Sequence, residues 1–250
     1  KHVETYNYDL LFVSRNIDLR SKLHDHLKHR GVDGVIVVQS TEEEALNFIE
    51  TDIPTVFIDI DLKNINVVYS DNLQGSMMAV DYLYGLGHRK IAHIAADQSR
   101  FAALERRRGF NLAVQKHQLD IPESYVVDGG YFSYEGGRKA MQQLLKLRDR
   151  PTAVFASGDS MAMGAISAIK EVGLSVPEDI SIVGFDDIPT AQYLDPPLTT
   201  ISQNKEQLGK QAAIVLLDEI NGESTKHSPT IVPVKLVERE SCKKMNTTTV

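Results

Sequence analysis

Short apolar runs alternate along this chain with stretches of helical periodicity, and that alternation constrains the fold more than any other feature. Val35-Ile36-Val37-Val38 is apolar without a break. Such a run suits a central strand of a parallel sheet, covered on both faces. Further strand candidates are Tyr8–Val13, Thr55–Ile58, Asn66–Tyr69, Ile91–Ala95, Tyr125–Val127, Thr152–Ala156 and Ile180–Phe185. Helix candidates lie between them. Leu19, Leu23 and Leu27 recur at helical spacing before Gly31, and Glu42–Glu50 reads as a short helix. Asp71 can cap a helix that runs to Leu86 and stops at Gly87. Ser99–His117, Tyr134–Leu147 and Ser160–Val172 follow, the last ended by Gly173. Repeated βα units imply parallel sheets with right-handed crossovers. The strands are too many for one small sheet, so two Rossmann-like lobes or one barrel remain.

The end of the chain departs from the alternation. Asp195-Pro196-Pro197-Leu198-Thr199-Thr200-Ile201 is extended and stiffened by adjacent prolines, as suits a linker between lobes. A long helix, Lys205–Ile220, and one strand, Thr230–Val237, are expected next. Lys243–Val250 reads as a polar, disordered tail.

Composition narrows the function classes. The chain has 250 residues and a formal net charge of −7, and its densest basic cluster is Arg106-Arg107-Arg108. A chain that grips DNA by itself needs a basic surface to neutralise phosphates, so this one is not expected to do so alone. No apolar run is long enough to cross a membrane, and Lys1–Tyr6 has neither the apolar core nor the cleavage site of a signal peptide. Cys242 is the only cysteine, which excludes an internal disulfide or a cysteine metal cluster and fits a reducing cytoplasm. His24, His26 and His29 match no common zinc spacing, so neither a metal nor a cofactor is expected.

Several motifs, in order, resemble one family. Asp71-Asn72-Leu73-Gln74-Gly75 leads to Tyr82-Leu83-Tyr84-Gly85-Leu86-Gly87-His88-Arg89-Lys90-Ile91-Ala92. Arg150–Ala156 precedes Asp159–Ala165, and Val176-Pro177-Glu178-Asp179-Ile180-Ser181-Ile182-Val183-Gly184-Phe185-Asp186-Asp187 follows. Pro196–Ile201 and Leu236–Ser241 complete the set. Together they resemble the ligand-sensing module of LacI/GalR transcription regulators. The resemblance implies a periplasmic-binding-protein-like fold of two Rossmann-like lobes joined by three crossings near Ser70, Gln203 and Pro233. It assigns residues 1–69 and 204–233 to the N-terminal lobe, 70–203 and 234–242 to the C-terminal lobe, and 243–250 to a tail. The family's helix-turn-helix, hinge helix, and first strand and helix of the module have no counterpart in this sequence. A homodimer is implied, with operator DNA held by an upstream domain and ligand closure between the lobes setting operator affinity.

The same resemblance names candidate ligand contacts. Ligands in open α/β sheets bind beyond the carboxyl ends of strands. Asp59 and Asp186 follow strands there, and a carboxylate can accept two sugar hydroxyls; either can also be an ordinary cap or turn residue. Arg106 stands in the family's RxxGF pattern with Gly109 and Phe110. Phe132 and Tyr69 match apolar walls, and Gln203 a polar contact at a crossing. Gln39 and Ser40 are weaker candidates. Gly158-Asp159 departs from the Asn-Asp pair of many members, so Asp159 either substitutes as a contact or caps the next helix. That departure keeps open a catabolite-control-type regulator answering to a phosphoprotein; a transport-type sugar-binding protein is the other alternative. An enzyme is not expected. No strand is followed by GxGxxG, no Ser/His/Asp order surrounds a strand-turn-helix elbow, and the adjacent Asp186 and Asp187 point apart.

Overall fold

A computed structural model describes residues 8–12, 27–38, 42–223 and 228–245. Contacts divide the chain into two compact units, residues 1–70 with 204–232 and residues 71–203 with 233–250. Both are α/β units with parallel sheets, apart from one antiparallel edge strand.

In the first unit, β1 (Val35–Val38), β2 (Thr55–Ile58), β3 (Asn66–Ser70) and β9 (Thr230–Val232) form a parallel sheet in that order. Alternate residues face opposite cores. Val56, Ile58, Val68 and Val232 pack with Leu208, Ala212 and Leu216 of α6 (Lys205–Ile220). Val37, Phe57 and Val67 pack with Ala45 of α1 (Glu42–Ile49). The strand expected at Tyr8–Val13 is not formed over the described residues 8–12, and Phe12 is 87% exposed. An extended segment without a neighbour to take up its backbone hydrogen bonds gains nothing from strand geometry. Val13, Leu19, Leu23, His24 and His26 lie outside the described residues.

In the second unit, six strands run in the order β10-β8-β7-β6-β4-β5. They are β4 (Ile91–Ala95), β5 (Val126–Asp128), β6 (Ala153–Ala156), β7 (Ser181–Asp186), β8 (Thr199–Gln203) and β10 (Val234–Val237). Ala92, Ile94, Val154, Ala156 and Ile182 face α4 (Tyr134–Leu145) and α5 (Asp159–Glu171). Ile91, Ala153, Phe155, Val183, Phe185 and Ile201 face α2 (Asn72–Gly85) and α3 (Phe101–Lys116). Burial on both faces explains the unbroken apolar runs of the sequence.

Two further expectations differ from the structure. The single strand Thr230–Val237 is two strands, β9 and β10, in different sheets. Pro233 separates them, because it has no N–H to continue a ladder. The tail is held as far as Met245. Lys243 N donates to Ser181 Oγ (3.1 Å) and Met245 N to Leu86 O (2.8 Å).

Candidate functional site

The site forms at the carboxyl ends of β6, β7 and β8, around Arg106 of α3. Gly109 lies one helical turn beyond Arg106, and a Cβ there would stand 2.2 Å from Leu73 O of α2. The glycine therefore lets α3 approach α2 closely, and this approach brings Arg106 to Asn72. Arg106 Nε donates to Asn72 Oδ1 (2.8 Å) and Nη1 to Ser157 O (2.5 Å). Nη2 stands 3.2 Å from Asp186 Oδ1. The guanidinium lies 3.7 Å from the Phe185 ring centroid and 5.3 Å from that of Phe132. With the side chain 3% exposed, these contacts hold the cation in one orientation.

Asp186 ends β7 in an unusual backbone conformation. Its φ is 113° and that of Asp187 is 48°. Positive φ is uncommon away from glycine and is tolerated best by residues such as aspartate. The turn is held from both sides. Asp187 Oδ1 pairs with Arg239 Nη2 (2.7 Å), whose Nη1 donates to Leu198 O (2.8 Å). Gln203 Nε2 donates to Asp186 Oδ1 (2.5 Å). Oδ1 thus serves Arg106 and Gln203, while Oδ2 lies 3.3 Å from where a Cβ on Gly158 would be.

The structure therefore brings Arg106, Phe132, Asp186 and Gln203 together. Asp159 lies beneath them and differs from the expected ligand contact. It is fully buried; its Oδ1 accepts from Thr200 Oγ1 (2.6 Å) and its Oδ2 from Ile188 N (2.9 Å). Both oxygens are committed internally, so it braces the loop after Asp187. Burial, reinforced by the charges of Asp186 and Asp187, pushes its carboxyl up to about 7, against the two hydrogen bonds. Asp59 and Tyr69 belong to the other unit. Asp59 follows β2 with φ 58°, and its N–H donates to Val68 O (3.2 Å). Tyr69 lies in β3, packed against the Val37–Phe57–Val67 core. Gln39 and Ser40 fall outside the described residues.

Sequence reasoning missed Asn72, Phe185 and Arg239 as supports of the site, although each stands in a motif that carried the resemblance. Their roles depend on contacts between elements far apart in the chain, which spacing does not reveal. A cavity of about 460 Å³ in the same unit lies at the opposite ends of the strands, lined by His88, Thr152 and Pro177 among others, and includes none of these residues. Among the described residues no His, Cys, Asp and Glu group is arranged to hold a metal, and no helix is long and apolar enough to cross a membrane.

A model of the periplasmic binding protein-like domain matches residues 80–242. The HTH-type transcriptional repressor PurR of Yersinia enterocolitica is 40% identical over 244 residues, 94% of this chain and 71% of PurR. A solved regulatory protein of the LacI family from Chloroflexus aggregans superposes with a TM-score of 0.86 at 30% identity, covering 98% of this chain and 89% of that one. The chain belongs to the LacI family. Its fold is that of the family's effector-binding domain. The HTH-type transcriptional repressor CytR of Escherichia coli K12 is 41% identical over 174 residues, which are 70% of this chain. That match spans about half, 51%, of CytR. The CelR–cellobiose complex superposes with a TM-score of 0.89 at 30% identity, covering 96% of this chain and 75% of CelR. In these LacI-family terms, the RxxG and GFDD motifs are the parts of the chain that build the Arg106–Asp186 pair.

Proposed function

We propose that this chain senses a small saccharide or saccharide derivative for a transcription regulator and does not transform it chemically. One observation carries the reading: a buried arginine, an aspartate held by two partners, a glutamine amide and an aromatic ring converge at the carboxyl ends of the strands. A sugar ring can place its C–H face on Phe132 and its hydroxyls on Asp186 Oδ2 and the remaining Arg106 N–H groups. The cellobiose bound by CelR supports a saccharide as the ligand class.

Asp59 and Tyr69 are proposed as contacts from the N-terminal lobe. Ligand then favours one arrangement of the two lobes by its differential contacts with them. In a homodimer carrying upstream DNA-binding domains, that preference alters the fit to two operator half-sites. Ligand and operator affinities are thereby coupled by about 1–3 kcal/mol. The regulator is proposed to act in the cytoplasm.

Calorimetric titration of the purified chain against mono- and disaccharides and their phosphates tests the proposal. Saturable heat is expected, with the affinity lowered about 10- to 150-fold in Asp186→Ala, corresponding to a charge-assisted bond of roughly 1.5–3 kcal/mol. A folded protein that gives no heat with any member of the panel overturns the saccharide reading.

A further inference from the structure

Three carboxyl groups, Asp159, Asp186 and Asp187, gather at the carboxyl end of β7, and two guanidiniums answer them. Arg106 Nη2 stands 3.2 Å from Asp186 Oδ1, and Arg239 Nη2 lies 2.7 Å from Asp187 Oδ1. Among the described residues, the donors to Asp159 are neutral: Thr200 Oγ1 at 2.6 Å and Ile188 N at 2.9 Å. The Asp159 side chain is fully buried, and the main chain of β7 at Gly184 lies so close to Oδ1 that a Cβ there would overlap it. The charged residues of α4, which packs on α5, meet other partners: Arg138 pairs with Glu171 and Glu135, and Lys139 with Glu135. β6 and β8 carry no titratable side chain.

These two hydrogen bonds admit either charge state of the carboxyl. Ionised, it accepts from Thr200 and from Ile188. Protonated on Oδ1, it donates to Thr200 Oγ1 and still accepts from Ile188 N through Oδ2. Burial, and then the charges of Asp186 and Asp187, act against ionisation and hold the carboxyl up at about 7. Asp186 is 25% exposed, so water still screens its charge. A ligand seated on Asp186 displaces that water, which deepens the burial of Asp159 and strengthens the repulsion between the two carboxylates. We infer that Asp159 is a proton-linked regulator of the site: a saccharide bound at Asp186 draws a proton onto Asp159, and ligand affinity falls as pH rises. The inference rests on the proposed saccharide reading of the site. Its sign follows from linkage. Binding raises the carboxyl above its value in the free protein, so affinity is fully present below that value and is lost as pH rises through the value in the complex.

Calorimetric titration with cellobiose and D-ribose at pH 7, in phosphate and in Tris, reads the proton directly, because the two buffers release protons with different heats. Uptake of about 0.2–0.4 proton per site is expected, with an affinity about three- to sevenfold lower at pH 8.5 than at pH 6. The amide of Asp159→Asn can donate to Thr200 and accept from Ile188, as the protonated acid does. This variant should bind at pH 6 about as tightly as wild type and lose both the proton uptake and the fall in affinity. Thr200→Val removes the charge-assisted bond that favours the ionised form, so it should move the fall to higher pH even if Asp159→Asn does not fold. A brace without proton linkage would instead change affinity equally at every pH. Equal heats in the two buffers, or a pH profile unmoved by either variant, would overturn the inference and leave the saccharide reading standing. A folded protein that gives no heat with either sugar would defeat that reading and the inference with it.

Discussion

Replacing Arg106 by methionine removes the cation on which the site is organised while keeping much of its apolar volume. Two acceptors lose their donor, Asn72 Oδ1 at 2.8 Å and Ser157 O at 2.5 Å, and Asp186 Oδ1 loses its ion-pair partner at 3.2 Å. Removing one member of a buried ion pair typically costs about 3–5 kcal/mol, because the other charge stays behind without compensation. Asp186 is 25% exposed and keeps the Gln203 amide, which moderates its share. Methionine also retains contact with the Phe185 and Phe132 rings. The expected loss is therefore at the low end, about 3 kcal/mol, or roughly 6–12 °C in Tm for a chain of this size. Arg106→Lys keeps the charge but not the planar fork that donates to Asn72 and Ser157 while facing Asp186, and should lose about 1–2 kcal/mol. Urea unfolding followed by circular dichroism measures both, and the Arg106→Met loss should persist in 0.5 M salt because a buried pair is little screened. A loss below about 1 kcal/mol for Arg106→Met would refute the argument that this guanidinium organises the site.

Two further predictions concern groups with displaced titrations. The Asp159 carboxyl is raised to about 7 by burial, so between its unfolded pKa and about 7 the native state holds a proton that the unfolded state has lost. Its contribution to stability is present at acid pH and falls as pH rises toward 7–8. Asp159→Asn should remove that part of the pH slope, seen as the difference between wild-type and variant urea midpoints from pH 5 to 8; parallel profiles would contradict it. Burial raises the Cys242 thiol to about 12, and its Sγ donates to Ile182 O at 3.1 Å. Native protein at pH 8 should react with a disulfide reagent about 100-fold or more slowly than a free cysteine, whose pKa is near 8.5. Denaturant should abolish the difference, whereas fast labelling of the native state would contradict it.

The repeating elements were legible because the sheets are buried on both faces. Runs such as Thr152–Ala156 and Ile180–Phe185 carry apolar residues at successive positions, and glycines such as Gly87 and Gly173 mark helix ends with φ of 95° and 77°. The break at Pro233 was less legible, since a β-rich run reads as one strand until its two halves are seen to pair with β3 and β8. The tail was misread because polarity alone does not reveal the anchorage of Lys243 on Ser181 or of Met245 on Leu86. Within the site, motif spacing indicated Arg106 and Asp186 but not their pairing. Asp159 looked the same from sequence as a ligand contact would, and only its bonds to Thr200 and Ile188 separate the two roles.

The most direct test of the account is to map saccharide binding onto the chain by ¹H–¹⁵N correlation spectra. Cellobiose and D-ribose would be titrated into isotope-labelled protein while side-chain and backbone N–H signals are followed. With saccharide bound at Arg106 and Asp186, the Gln203 side-chain amide, the Arg106 Nε–H, and the backbone amides of Gly158 and Asp187 should move together and saturate with one affinity. Shifts that leave those signals in place and fall instead on residues such as His88 and Thr152, around the 460 Å³ cavity, would contradict it.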